Sequence, residues 1–333
     1  MPPAPTRVGL FNELAQDADY LWNQCDGSAG RHGAIELARW DQSAPHAFIM
    51  NWPSPPGGVR RAGGWRRYLY KALRRSTTPL RMRHAFDRLG RDAASTTVLF
   101  YEPPSLIPDY WYDVARKHAA RVYAPDPRAT HPITLPSMWS IEWDVHTLRA
   151  LPPPAKSVPL AAISSGMPSG KKLTAGHRAR LDFYRALRAA NVPIEIFGRG
   201  LPADTGSRGP IACKGNILRP ARFALVIENY AEGDMYVSEK LWDALACWAL
   251  PLYFGSRAAD RLIPSDALIR IPSLDAEGVR VVQQALADPV QWDRRLEAMA
   301  EARRRALGDL RLVEWVARNL RQWSQPTADT PQI

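Results

Sequence analysis

The chain has 333 residues, 46% of them hydrophobic and 23% charged. That is the balance of a soluble globular protein, with length for two domains of about 150 residues each. Lys and Arg outnumber Asp and Glu by 44 to 33, for a formal net charge of +11. No run of about 18 apolar residues occurs, so no spanning helix is expected. Cys25, Cys213 and Cys247 form no CxxC pair, which argues against a zinc site or a disulfide framework and fits a reducing, cytoplasmic compartment.

The opening MPPAPTRVGLF has no long apolar segment, so no secretory leader is expected. Short apolar runs at Val8–Phe11, Ala47–Met50, Val98–Tyr101 and Arg121–Tyr123 read as strands, with a helix over Tyr110–Ala120. The one D-x-D, Asp17-Ala-Asp19, falls in a helical stretch and reads as surface, so no metal site is assigned. Arg60 to Arg91 carries eleven basic residues against one acid, Asp87, with Trp65, Tyr68, Tyr70 and Phe86 interleaved. This pattern suits either a basic helix at an anionic surface, with peripheral attachment through residues 60–91 to the inner face of the membrane, or a solvated basic helix of the first domain whose aromatics face the core. The strand at Tyr101 runs into Glu102, held rigidly by Pro103 and Pro104.

Leu151-Pro152-Pro153-Pro154 reads as a linker, giving domains at 1–150 and 155–325. The second half restarts with a strand over Leu160–Ser164, a loop with Gly166, Gly170 and Gly176, a helix from Arg178 to Ala190, and a strand Ile194–Phe197 ending in Gly198. Phe223 to Ile227 is an apolar run of the kind buried on both faces, with Glu228 and Asn229 at its carboxyl end. Tyr236, Ser238, Glu239 and Lys240 follow, and a helix starts at the N-cap Ser238, stops at Pro251 and gives way to a strand over Leu252–Phe254. Two helical stretches fill Val290–Trp323. Two strand–helix halves around a proline linker describe an α/β protein of two Rossmann-like domains facing a central cleft.

The order Phe223-Ala-Leu-Val-Ile-Glu228-Asn229, Tyr236-Val-Ser-Glu239-Lys240-Leu241, Pro251-Leu-Tyr-Phe-Gly255 resembles the hallmark of the α1,3/4-type fucosyltransferases of glycosyltransferase family 10. Ile227 stands where that family has a second Phe, in the same apolar role. Gly176-His-Arg-Ala-Arg180-Leu-Asp-Phe-Tyr184 resembles the family's helix start with its diphosphate-binding arginine, matched by Arg180. A helix N-terminus favours anions and a guanidinium grips phosphate oxygens two at a time, so the physics agrees. Leu99-Phe-Tyr-Glu102-Pro-Pro-Ser105 is similar to the segment that carries the family's general base, with Pro103 where many members have serine.

The resemblance implies the GT-B type of fold and an inverting transfer of fucose from GDP-fucose to a hydroxyl of a glycan acceptor, in the soluble bacterial form of the family. On that reading Glu102 is the general base, and Arg180 and Lys240 neutralise the leaving GDP. Glu239 hydrogen-bonds ribose hydroxyls, Asn229 and Tyr236 close around sugar and phosphates, and Glu228 orients neighbouring donors or the fucose. Ser164 and Gly198, at strand ends, complete the nucleotide-binding set. Glu142 is the next carboxylate in line for the base. The motifs do not bear on whether a divalent metal is needed. A GT-B enzyme using another nucleotide-sugar donor stays open, since the motifs mostly hold nucleotide and diphosphate. The retaining GT-B pattern of two glutamates is imitated by Glu232 and Glu239 but leaves Glu228-Asn229 unexplained. The basic charge also allows a nucleic-acid binder, yet no helix-turn-helix, RRM, KH or finger pattern is present, and no nucleic-acid partner is expected.

Overall fold

The computed structural model describes residues 4–12, 20–27, 30–53, 82, 83, 85–166, 175–288 and 290–323. Asp17-Ala-Asp19, Gly170 and the basic positions 60–81 lie outside them. The described residues fall into two compact units, one reaching to Leu135 and resuming at Val313, the other running from Pro136 to Leu312.

The first unit is built on seven strands: β1 (Thr6–Asn12), β2 (Arg31–His32), β3 (Ile35–Arg39), β4 (His46–Met50), β5 (Thr96–Leu99), β6 (Arg121–Ala124) and β7 (His131–Pro132). Their order is β2-β3-β1-β4-β5-β6-β7, parallel throughout except for β2 against β3. Val8 to Asn12 and Ala47 to Met50 are buried without alternation, as strands covered on both faces must be. Strand β5 ends at Leu99, two residues before the sequence pattern suggests. Phe100 still donates its N–H to the Tyr123 carbonyl at 2.9 Å, but the Tyr101 N–H turns to the side-chain oxygen of Asn51 at 3.2 Å.

Met82, Phe86 and Leu89 are buried with Phe11, Ile49, Val98, Phe100 and Tyr112 in one core. The described end of the basic stretch therefore puts its apolar side chains inward. Among the described residues no helix is long and apolar enough to cross a membrane. The helix Leu312–Trp323 also belongs to this unit from Val313 onward. Val313, Val316, Leu320 and Trp323 are buried, Trp323 stacks on Phe48 at 5.8 Å, and Trp315 meets Tyr123 edge-on at 4.9 Å. Glu314 accepts from or pairs with the buried His32 of β2 at 2.7 Å.

The second unit holds five parallel strands: β8 (Val158–Ile163), β9 (Ile194–Phe197), β10 (Ala221–Ile227), β11 (Leu250–Phe254) and β12 (Ile269–Arg270), in the order β12-β11-β10-β8-β9. Successive side chains of β10 point to opposite faces. Phe223, Leu225 and Ile227 join the core under the helix Ala175–Ala189, whereas Ala224 and Val226 join the core under the helix Glu239–Ala246. Trp139, Ile141, Val145 and Leu148 are buried in that latter core, so the stretch from Pro136 to Ala150 goes with the second unit and Pro152–Pro154 lie inside it.

Pro251 does not stop the preceding helix; it is the second residue of β11. The helix ends at Ala246, and Trp248, at a left-handed φ of 60°, reverses the chain. Pro251 is tolerated there because β12 pairs with β11 only from Leu252 onward.

The C-terminal helix should be integral to the first unit. Trp323→Ala is expected to lower stability by about 3–5 kcal/mol, as for a buried aromatic truncated in a core. Chemical denaturation followed by tryptophan fluorescence measures this, and a loss under about 1 kcal/mol would mean the helix is only loosely seated.

Candidate functional site

In a doubly wound sheet the ligand crevice opens beyond the carboxyl ends of the strands where the order reverses. In the second unit that point lies between β8 and β10, since β9 flanks β8 on one side and β10 on the other. The helix after β8 covers one face and the helix after β10 the other, so both helix N-termini border the crevice.

Arg180, on the second turn of the helix Ala175–Ala189, spans this crevice. One terminal nitrogen donates to Asn229 Oδ1 after β10 at 2.6 Å, and the other to the Ser165 carbonyl after β8 at 3.1 Å. The residue is only 2% exposed, and its Nε–H has no protein partner. His177, one turn earlier and also buried, is pushed below its ordinary pKa by burial, and the Arg180 and Lys240 charges act in the same direction. A neutral imidazole thus lies beside two cations.

Across the crevice, Ser238 caps the helix Glu239–Ala246 by accepting the Lys240 N–H at 3.3 Å. Glu228, at the end of β10 and 2% exposed, accepts the Ser238 N–H at 2.9 Å through Oε1. Its Oε2 lies 4.0 Å from Lys240 Nζ without a hydrogen bond. Burial raises the Glu228 pKa, and the Lys240 ammonium pulls it back. Lys240 Nζ donates to Glu239 Oε1 and to Ser238 Oγ, each at 3.1 Å. Burial opposes ionisation of Glu239, but Lys240 and then Lys214 outweigh it and hold the carboxyl at about 2. Tyr236 is buried, and its carbonyl accepts the Ser256 hydroxyl at 2.7 Å.

Two candidates act through the backbone. The Ser164 hydroxyl is taken up by the buried Tyr184 hydroxyl at 2.5 Å, and the Ser164 N–H donates to Phe197 at 2.9 Å. Gly198 has a φ of 151°, and a Cβ there would stand 1.5 Å from the Ser164 carbonyl oxygen. Only glycine lets the end of β9 close on the end of β8. Ser164 and Gly198 thus set the shape of the crevice wall.

One turn further along the Glu239 helix lies a buried network outside the sequence motifs. Lys214 Nζ donates to Asp243 Oδ2 at 2.7 Å and to Ser140 Oγ at 2.5 Å, while Ser140 donates its N–H and its hydroxyl to the same carboxylate at 2.7 and 2.9 Å. The spacing of Asp243 four residues after Glu239 was the available signal; nothing local marks Lys214 or Ser140.

Arg180, Asn229, Glu228, Glu239, Lys240, Tyr236, Ser164 and Gly198 all lie in the second unit, as does the exposed Glu142. Glu102 lies in the first, on the loop beyond β5, half-buried and followed by the buried Pro103. Among the described residues no three His, Cys, Asp or Glu side chains are grouped as a metal site.

Residues 171–283 match the family described as Glycosyltransferase family 10 (fucosyltransferase) C-term. Over 99 residues the chain is 32% identical to the 3-galactosyl-N-acetylglucosaminide 4-alpha-L-fucosyltransferase FUT3 of Homo sapiens, which is 28% of this chain and 25% of the relative. The 4-galactosyl-N-acetylglucosaminide 3-alpha-L-fucosyltransferase FUT5 of Homo sapiens is similar to the same degree, over 28% of this chain and 24% of its own. The chain thus spans about a quarter of the length of the curated relatives it matches. Among solved structures, the DNA modifying enzyme beta-glucosyltransferase is similar with a TM-score of 0.52 at 11% identity, over 96% of this chain and 100% of that one. An alpha1,3-fucosyltransferase is similar with a TM-score of 0.44 at 12% identity, over 89% and 82%. The former likeness speaks for the fold alone: α/β, with the parallel Rossmann-like sheets of the GT-B type.

The Glu239–Lys240 pair carries a pH signature. A carboxylate held below its unfolded range stabilises the fold fully above that range and loses the contribution as pH falls toward about 2. Lys240→Met removes the nearest cation, so the acid limb of Tm against pH should move to higher pH. A limb that stays in place would mean that Lys214 alone suffices.

Proposed function

We propose that this protein is an inverting glycosyltransferase that moves fucose from GDP-fucose to a hydroxyl of a glycan acceptor. The observation that carries the reading is the Arg180 guanidinium bonded to both strand ends of the β8–β10 switch point, with Lys240 at the capped start of the helix after β10. Both residues fall inside the stretch that matches the fucosyltransferase C-terminal region.

The chemistry follows from charge. As the glycosidic bond breaks, negative charge grows on the departing diphosphate. Arg180, with a spare N–H, and Lys240 supply fixed positive charge where it develops, and such preorganised electrostatics is worth several kcal/mol in many enzymes. The helix N-terminus at Ser238 adds its dipole with the same sign. Glu239, fully ionised, is an acceptor for the two ribose hydroxyls. Binding the nucleotide frees it from Lys240, whose ammonium turns to phosphate. Asn229, oriented by Arg180, and Tyr236 close around the sugar, and Glu228 holds the Ser238 backbone that begins the helix. Glu102 takes the proton from the acceptor hydroxyl as it attacks the anomeric carbon. The acceptor is a glycan of the galactosyl-N-acetylglucosaminide class, as in the names of the relatives.

Two measurements test this. Arg180→Ala and Lys240→Ala should each weaken GDP binding by roughly 1.5–3 kcal/mol in calorimetry, the scale of one charge-assisted contact, with the circular dichroism spectrum unchanged. Unchanged GDP affinity in both, or tighter binding of UDP than GDP by the parent protein, would overturn the donor assignment. Glu102→Gln should leave GDP-fucose binding intact and cut transfer to a galactosyl-N-acetylglucosaminide by about 10²-fold or more. Transfer within a few-fold of the parent would move the base elsewhere, first to Glu142.

A further inference from the structure

A general base must be held within hydrogen-bond reach of the proton it removes, and the first unit contains a device for that. The loop of Glu102 is fixed at both ends. Upstream, Asn51 is buried at the end of β4 with a left-handed φ of 62°. Its N–H donates to the Leu99 carbonyl at 2.8 Å, and its side-chain oxygen accepts the Tyr101 N–H at 3.2 Å. Downstream, Pro103 starts a short 3₁₀ turn over Pro104–Leu106. One terminal nitrogen of Arg128 donates to the carbonyls of Pro104 at 2.7 Å and Ile107 at 3.1 Å, at the two ends of that turn. The other donates to Asp109 Oδ1 at 2.6 Å, at the start of the following helix Asp109–His118.

Arg128 is itself anchored from below. Its Nε donates to both oxygens of Asp126, at 3.1 and 3.0 Å, and the Tyr112 hydroxyl donates to the same carboxylate at 2.9 Å. Asp126 is 1% exposed, while the Arg128 side chain is 41% exposed. A buried carboxylate therefore aims a guanidinium outward, and that guanidinium gathers two carbonyls of the loop after Glu102 and the Asp109 carboxylate at the start of the next helix.

We infer that Arg128 and Asn51 are positioning residues that hold Glu102 where the acceptor hydroxyl is deprotonated. This rests on the reading of Glu102 as the base. Neither residue reaches the reacting atoms; both act by fixing the backbone on either side of it. Small displacements of a reacting group cost large factors in rate, so loosening this loop should appear in kcat and leave the donor untouched.

The test is a double-mutant comparison with GDP-fucose and a galactosyl-N-acetylglucosaminide. Arg128→Ala should lower kcat by about tenfold or more with GDP affinity unchanged, and Arg128→Lys, which keeps the charge without the fork, should recover part of it. In a Glu102→Gln background, Arg128→Ala should cost nothing further, because the group it positions is gone. Asn51→Gly, which accepts the same backbone angle but drops the tether to Tyr101, should behave likewise and serves if Arg128→Ala lowers Tm too far. Amide exchange at Tyr101, Leu106 and Ile107 should quicken in each variant. An equal loss in both backgrounds, or full activity with a loosened loop, would overturn the positioning role. A Glu102→Gln variant as active as the parent would instead remove the base, and the positioning role with it.

Discussion

Burial of the Arg180 guanidinium is the constraint on which the second unit turns. A cation taken out of water carries a penalty of several kcal/mol, offset only by close and well-aimed acceptors. Those acceptors come from two different strand ends, the Ser165 carbonyl after β8 and the Asn229 amide after β10. Neither can shift without stranding the charge. The shape of the crevice is thereby fixed by electrostatics, and the rest of its wall is arranged to match. Gly198 lets β9 close on Ser164, and the Ser164 hydroxyl is locked on Tyr184, a residue of the same helix that carries Arg180.

The opposite wall is held by alternating charge. Glu228, Lys240, Glu239, Lys214 and Asp243 follow one another with signs that alternate, each near a partner of opposite sign. Glu228 at one end fastens the Ser238 backbone, and Asp243 at the other fastens Ser140 and Lys214. The three inner members are less buried than the two ends, with side-chain exposures of 16% for Lys240, 32% for Glu239 and 25% for Lys214 against 0% for Glu228 and 2% for Asp243. The outer members fasten the Ser238 backbone and Ser140, while Glu239 and Lys240 are bonded chiefly to each other, and Lys240 also to the Ser238 hydroxyl.

Much of this was legible in the sequence, and the parts that were not share a cause. The apolar run Phe223–Ile227 and the cap at Ser238 are local signals, and both elements stand where they were read. Glu228, Asn229, Glu239 and Lys240 stand out in the sequence through the family motif that the stretch resembles, which begins at the end of a buried strand. Pro251 misled because proline is read as a helix terminator, whereas the reversal is made by Trp248, a bulky residue with no sequence mark for a left-handed φ. The prolines at 152–154 looked like a boundary, but Trp139, Ile141, Val145 and Leu148 before them are committed to the second core by contacts distant in sequence. Lys214, Ser140, Asn51 and Arg128 were invisible for the same reason. Each acts on a loop or helix that only the folded topology brings to it.

The return of the helix Leu312–Trp323 to the first sheet makes the second unit an insertion within the first. During synthesis the residues from Pro136 to Leu312 leave the ribosome complete, with both faces of their sheet covered by their own helices, and can fold as a unit. The first sheet must wait. Phe48 and Tyr123, which are sealed by Trp315 and Trp323, stay open to water until the last of these segments emerges. For that interval the nascent chain presents an aromatic surface on its first sheet, and this is the stage at which a chaperone has something to bind. Once the second unit has folded, it also brings Leu312 back near Ser137, joined by a 2.9 Å hydrogen bond, so that the long loop is already closed when the final helix arrives.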